Sequence, residues 1–278
     1  MASTNKPLKS AAWTAYKRSY RKKDKPDGYI EVFRKIKAAF GCDKVLYPGC
    51  HRHLSASLVW PHVDYVDSDR KVADVYEDDV CRQWVMENAG YESSPAYTFT
   101  CADFTKPLPK GKFKKDSYDC LISLSAGVVS TACVPYLTPG EGLLLVDDSH
   151  SDAKIAFMDE RLELVGAVVV PKGDGDEVAV LEVVTSPERL DRYFRTKAKG
   201  NPHITQAQAE EAIRIGSVAK RSFRVLEDAF VYIFRRRRGE SQDENAANEE
   251  AANEKVDDKE KKRGSIDDTE SKPKRSKR

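Results

Sequence analysis

The sequence predicts an α/β domain on a mostly parallel sheet, with helices on both faces and an antiparallel strand near its C-terminal end. Three observations predict it. Short, almost continuously apolar runs (KVLYP, VDYVD, YDCLIS, GLLLV) recur up to His150. Segments with helical spacing alternate with them, and strands apolar at nearly every position belong to a sheet buried on both faces. Further on, LELVGAVVV, EVAVLEVV and AFVYIFRRRR read as strands around the turn KGDGDE, so parallel units give way to hairpin-like pairing.

Taken in order, AAWTAYKRSY is expected to form a helix with Trp13 and Tyr16 inward. In YIEVFRKIKAAF, Ile30, Phe33, Ile36 and Phe40 share a stripe, with Asp27 as cap and Gly41 as stop signal. The first strand, Lys44 to Pro48, breaks at Gly49, and HRHLSASLVW reads as a helix with Leu54 and Leu58 on one face. Val63 to Asp67 is the second strand, followed by one long helix over RKVADVYEDDVCRQWVMENAG. Tyr97 to Asp103 and Tyr118 to Gly127 supply the third and fourth strands, and VVSTACVPYL a helix. Pro139-Gly140 turns the chain into the fifth strand, EGLLLVDDSH; SPERLDRYF and ITQAQAEEAIRIG read as later helices.

Composition divides the chain. Hydrophobic residues make up 40% and charged residues 33%, but from Gly239 onward the only large apolar residues are Val256 and Ile266. Such a segment buries too little surface to offset its ordering entropy, so residues 239–278 are expected to be a disordered charged tail. Residues 1–43 read as a basic arm and helical cover, and residues 44–238 as the α/β domain. The net charge of +2 conceals a basic N-terminus (KRSYRKKDK) and a basic end (KPKRSKR). These are the expected points of contact with nucleic acid or protein, or else simply solvated faces. Six cysteines without a CxxC pair suit free thiols in a reducing compartment. No apolar run has the length of a membrane span and no secretory signal is visible, so no membrane partner is expected. A soluble intracellular protein is expected, cytoplasmic or nuclear, since KEKKRG and KPKRSKR resemble nuclear-targeting clusters.

In an open parallel sheet, ligands bind outside the carboxyl ends of the strands. Gly49 follows the first strand, where a glycine permits close backbone approach to a ligand or makes a simple tight turn. Asp67 ends the second strand, placed to accept both hydroxyls of a ribose or, with Ser68 and Asp69, to cap the next helix. Asp103 and Phe104 follow the third strand, where the acid could accept from an adenine amine and the ring line it; an acid there also serves as a turn residue. Other clusters read as structural. Cys50, His51 and His53 alternate too tightly to converge on a metal, so none is expected. Asp147 to His150 holds acid, serine and histidine, yet it reads as the end of a strand and the cap of a helix. Arg235 to Arg238 suit phosphate or solvent, and Tyr16, Tyr20 and Tyr29 suit base stacking or core packing.

The succession VLYPG, VDYVDSD, CADF, YDCLISLSAG, LTPGEGLLLV resembles the class I S-adenosylmethionine (SAM) methyltransferase arrangement, a Rossmann-like fold. More narrowly, it is similar to a group of that fold carrying a YPG turn followed by YVDxD. The resemblance is clear from Lys44 to His150 and weaker at AFVYIFRRR, which looks like that fold's last antiparallel strand. It implies SAM as cofactor: Gly49 and Cys50 at the methionine part, Asp67 at the ribose, Asp103 and Phe104 at the adenine. Ser123 to Ser125 would border the methyl side. The sequence departs from the family where Tyr47 stands for the usual acid and His51 and His53 replace the second and third glycines. No catalytic motif is visible, and methyl transfer needs a base only where the acceptor is protonated. A SAM-dependent methyltransferase of unknown acceptor is therefore the leading expectation, and an inactive scaffold of the same fold the alternative. A nucleotide-dependent oxidoreductase ranks last, for want of a richer glycine turn.

Overall fold

The computed structural model describes residues 9–21, 27–169, 181–193, 195–196, 223–224 and 229–238. Two helices open it, α1 (Ala11–Tyr20) and α2 (Gly28–Phe40). Ser10 caps α1 by accepting from the Trp13 N–H, and Asp27 caps α2 by accepting from the Tyr29 N–H. Gly41 ends α2 in the left-handed region, φ 73°. Trp13 and Tyr16 face inward as their spacing predicts, so Tyr16 is a packing residue.

Strands β1 (Lys44–Pro48), β2 (His62–Asp67), β3 (Ala96–Cys101), β4 (Cys120–Ser123) and β5 (Leu143–Val146) run parallel. Strands β6 (Leu162–Val169) and β7 (Glu182–Val184) follow. A pair of two-residue strands, β8 (Arg195–Thr196) and β9 (Phe223–Arg224), precedes β10 (Val231–Arg236). The main sheet has the order β3-β2-β1-β4-β5-β10-β6-β7. Strand β10 inserts antiparallel between β5 and β6, and β7 pairs antiparallel with β6. The fold is thus Rossmann-like, with the reversal of strand order between β1 and β4.

Alternate residues of the central strands feed two cores. Val45, Tyr47, Ile122, Leu143, Leu145 and Ile233 pack on one face with α1, α2 and Trp60. Leu46, Leu121, Leu144, Val146, Tyr232 and Phe234 pack on the other with Val129, Cys133 and Ala153. Two-sided burial is the reason these strands are apolar throughout.

Several elements are shorter than their patterns predict. The expected helix after Gly49 is a 3₁₀ turn, Leu54–Leu58, with every residue buried. The Tyr65 hydroxyl donates to the Leu54 carbonyl and accepts from the Ser57 N–H, holding the turn tight. The long helix after β2 is a 3₁₀ turn (Arg70–Val72), then α3 (Ala73–Glu77) and α4 (Asp79–Asn88). Between them Asp78 is extended; its carboxylate caps α4 at the Cys81 N–H and accepts from the Ser10 hydroxyl. Strands β3 and β4 stop at Cys101 and Ser123, before the acid and the glycine expected to close them. Beyond β4, Ser125 (φ 54°) and Gly127 (φ 98°) bend the chain. VVSTACVPYL becomes α5 (Val129–Cys133) and a 3₁₀ turn (Val134–Tyr136), with Pro135 at the changeover. The next helix, α6 (Asp152–Met158), starts at Ser151, whose own side chain makes no cap hydrogen bond. SPERLDRYF is helical only over α7 (Pro187–Leu190). The helix expected in ITQAQAEEAIRIG, the turn KGDGDE and the charged tail lie outside the described residues.

Candidate functional site

The carboxyl ends of β1, β2, β3, β4 and β5 gather the residues singled out above. Gly49 has φ 62°, and a Cβ built on it would lie 2.4 Å from the Ala126 Cβ and 3.4 Å from the Phe104 ring. The glycine is therefore needed for close packing between the ends of β1 and β4, with Phe104 of the β3 end beside them. Cys50 is turned into the core, and burial raises its thiol pKa.

Asp67 is half-buried at the end of β2. One carboxylate oxygen accepts from the His51 N–H at 2.8 Å and the other from the Asp69 N–H at 2.9 Å. Asp69, not Asp67, caps the following 3₁₀ turn. Each Asp67 oxygen keeps a lone pair beyond these bonds, so the group stands as a pre-oriented double acceptor. Asp103 is committed to its own turn: it accepts from the Thr105 N–H and hydroxyl, with Lys106 at 3.3 Å. The Thr105 hydrogen bonds hold its carboxyl below the usual value.

The two serines part company. The Ser123 hydroxyl is buried and donates to Asp152 at 2.6 Å. Asp152, itself buried, also accepts from Val129 N–H, Ser130 N–H and the Ser130 hydroxyl, tying α6 to the start of α5. Burial nonetheless raises its carboxyl pKa. Ser125 is exposed, and its N–H and hydroxyl both donate to Asp147, which also takes the Ser149 hydroxyl. Asp148 pairs with Lys154, and burial raises its carboxyl as well. DDSH thus orders the loop after β4.

His51 and His53 are drawn towards the N-terminal helices. His53 is buried between the Tyr47 hydroxyl (2.8 Å from Nδ1) and the Asp27 carboxylate (2.5 Å from Nε2). The arrangement in which Tyr47 donates to Nδ1 and Nε2–H donates to Asp27 satisfies all three groups. Burial alone would push the Asp27 carboxyl up, but His53, Ser55 and the Tyr29 N–H outweigh it and hold it below the usual range. Tyr20 stacks on His53 at 4.5 Å and its hydroxyl meets His51 Nδ1 at 3.1 Å. Tyr29 lies edge-on to His53, and burial pushes its hydroxyl up to about 12. Tyr20, Asp27 and Tyr29 escaped the sequence reading as site neighbours; the one signal was the unusual His51-x-His53 beside a tyrosine-rich cover.

The arginine run does not simply face solvent. Arg236 pairs with Asp116 and donates to the Leu137 carbonyl, and Arg237 donates to the Leu162 carbonyl at 3.1 Å.

No family model matches the chain, and no curated protein matches it. Among solved structures it is similar to cofactor-bound Rv0187 from MTB: 14% identity over 60% of this chain and 84% of that one, TM-score 0.40. It is also similar to the O-methyltransferase TomG from Streptomyces achromogenes, solved in complex with SAM: 11% identity over 58% and 84%, TM-score 0.38. The fold assignment rests on the strand order itself.

Proposed function

We propose that the chain binds SAM at the carboxyl ends of β1 and β2 and transfers its methyl group to an acceptor. Kinship with the group sharing the YPG turn and YVDxD motif is part of the proposal. The observation that carries it is Asp67: a half-buried carboxylate beside the glycine turn, pre-oriented by the N–H groups of His51 and Asp69. The residues present fit an adenosyl group there, because the histidines that replace two glycines send their rings to Tyr20 and Asp27. In this reading Asp67 would accept from the ribose hydroxyls, and Phe104 with Asp103 would flank the adenine. The turn at Gly49 and Cys50 would meet the methionine part, while Ser123 to Ser125 border the acceptor side. When bound, the cofactor supplies an electrophilic methyl group on a sulfonium. Calorimetric titration of the full chain with SAM tests the proposal. One-to-one binding is expected, weakened about 10- to 100-fold in Asp67→Ala by the loss of charge-assisted hydrogen bonds. Absence of heat at millimolar SAM, from folded protein, would remove it.

A second reading has one observation in its favour. The close approach of Ala126 to Gly49 narrows the place where strand order reverses, the usual ligand crevice. A scaffold that holds no cofactor and captures partners through the basic arm or tail would tolerate this. It predicts no SAM binding, and partner capture in pull-downs that falls when residues after Gly239 are removed.

A further inference from the structure

We propose that the loop from Thr105 to Asp116 is a docking surface for the phosphate backbone of a nucleic acid. The β3-to-β4 crossover contains no helix among its described residues and carries five lysines, Lys106, Lys110, Lys112, Lys114 and Lys115, against three acids, Asp103, Asp116 and Asp119, of which only Asp116 lies within Thr105 to Asp116. All five lysines are exposed. Asp116 is taken up by Arg236, and among the described residues Lys106 alone of the five has a carboxylate partner, Asp103.

The loop is anchored. Leu108 and Phe113 are buried in the core, and the Leu108 N–H donates to the Tyr136 hydroxyl at 3.1 Å. The N–H groups of Lys112 and Phe113 both reach the Pro109 carbonyl, and Gly111 makes the bend at φ 84°. Lys112 Nζ meets the Phe99 carbonyl of the edge strand β3 at 3.4 Å. Lysine stems thus project from a fixed backbone, and the cost of ordering the loop is met in the free protein.

The charge is segregated. Residues 64–92 hold nine acids and three bases, whereas the loop is almost wholly basic, in a chain of net charge +2. A local field of one sign on a nearly neutral protein favours a polyanion. The chemistry selects among polyanions. Lysines bind as point charges and suit phosphates spread along a backbone, and polyglutamate in the assay separates a carboxylate polyanion from them. The loop's large apolar side chains, Leu108 and Phe113, are buried, so nothing exposed on it would insert into a lipid surface. The loop starts beside Phe104, but this surface stands without any assumption about methyl transfer.

The test is fluorescence anisotropy of the full chain with a fluorescein-labelled 20-nucleotide uridine RNA, titrated with KCl. Neutralising about four phosphates on a single strand gives a log–log salt slope near −3, so affinity should fall about 50-fold from 50 to 200 mM. The variant with Lys110, Lys112, Lys114 and Lys115 all changed to Gln should bind at least about tenfold more weakly at 50 mM and lose about that much slope. Lys110→Gln with Lys114→Gln, which spares the Lys112 contact, should lose about half, and decides the matter if the fourfold variant melts early. A variant with the closing KPKRSKR neutralised should keep the same loop-dependent difference. The proposal is overturned by a loop variant with wild-type affinity and slope, by a wild type that does not bind at 50 mM, or by polyglutamate binding with equal loop dependence in place of RNA.

Discussion

Removing the Asp27 carboxylate should destabilise the protein more than any change to a surface charge. Asp27 is 9% exposed and serves the Tyr29 N–H that begins α2 and the buried His53 ring, with the Ser55 hydroxyl as a further partner. Loss of an N-cap costs about 1 kcal/mol. A buried imidazole N–H left without an acceptor costs about 1–3 kcal/mol more. Asp27→Ala should therefore cost about 2–4 kcal/mol, a large part of the roughly 5–15 kcal/mol of a typical domain. Asp27→Asn keeps the cap and an acceptor for Nε2–H, and should cost only about 1 kcal/mol. Urea unfolding followed by tryptophan fluorescence reads both midpoints, with Trp60 buried in the same core. The pH dependence has a definite sign. The folded pKa of Asp27 is depressed, so its ionised form stabilises the fold above the unfolded carboxylate value. That contribution is lost as pH falls through the folded value, and the gap between wild type and Asp27→Asn should close only below about pH 4. An alanine variant with the wild-type midpoint at pH 7, or a wild-type–asparagine gap that is the same at pH 3 and pH 7, would refute the reasoning.

Three further outcomes follow from the packing. Gly49→Ala puts a Cβ 2.4 Å from that of Ala126 at a left-handed position, and should lower stability by about 2 kcal/mol or more; Ala126→Gly in the same chain should recover the steric part, read as coupling in a double-mutant thermal cycle. Asp152→Ala strips the acceptor from two hydroxyls and two N–H groups at the β4–α5 junction and should cost about 2–4 kcal/mol, measured by denaturant unfolding. In the native protein a thiol reagent should modify Cys101 promptly, and Cys42, Cys50, Cys81, Cys120 and Cys133 only on unfolding; prompt reaction of a second thiol would contradict their burial.

The fold was legible because β1, β4 and β5 are apolar at nearly every position, and only two-sided burial explains such runs. Gly41 and Asp27 also marked the ends of α2 correctly, since a left-handed cap and a short acid act locally. What failed to show was where helices break. RKVADVYEDDVCRQWVMEN has an acceptable helical pattern throughout, but Asp78 prefers to cap α4 and to hold Ser10, a residue 68 positions away. The segment after Gly49 likewise has helical spacing. Tyr65, from the neighbouring strand, supplies the hydrogen bonds that draw it into a 3₁₀ turn. Tertiary partners decided both cases.

Of the candidate site, the sequence showed the positions of the strand-end acids and not their surroundings. Glycine, Asp67 and Asp103 at successive strand ends look alike in sequence, yet they differ physically. The oxygens of Asp103 are taken up by Thr105 and Lys106, next to it in the chain. Asp67 is held by backbone N–H groups of two different segments, so its direction is fixed by the fold rather than by its own turn. His51 makes one of those contacts through its backbone while its ring reaches Tyr20 on α1. His51 thereby links the N-terminal cover to the acid at the end of β2. A glycine at position 51 would keep the N–H but lose that link, so the N-terminal helices are part of the candidate site's architecture rather than an appendage to it.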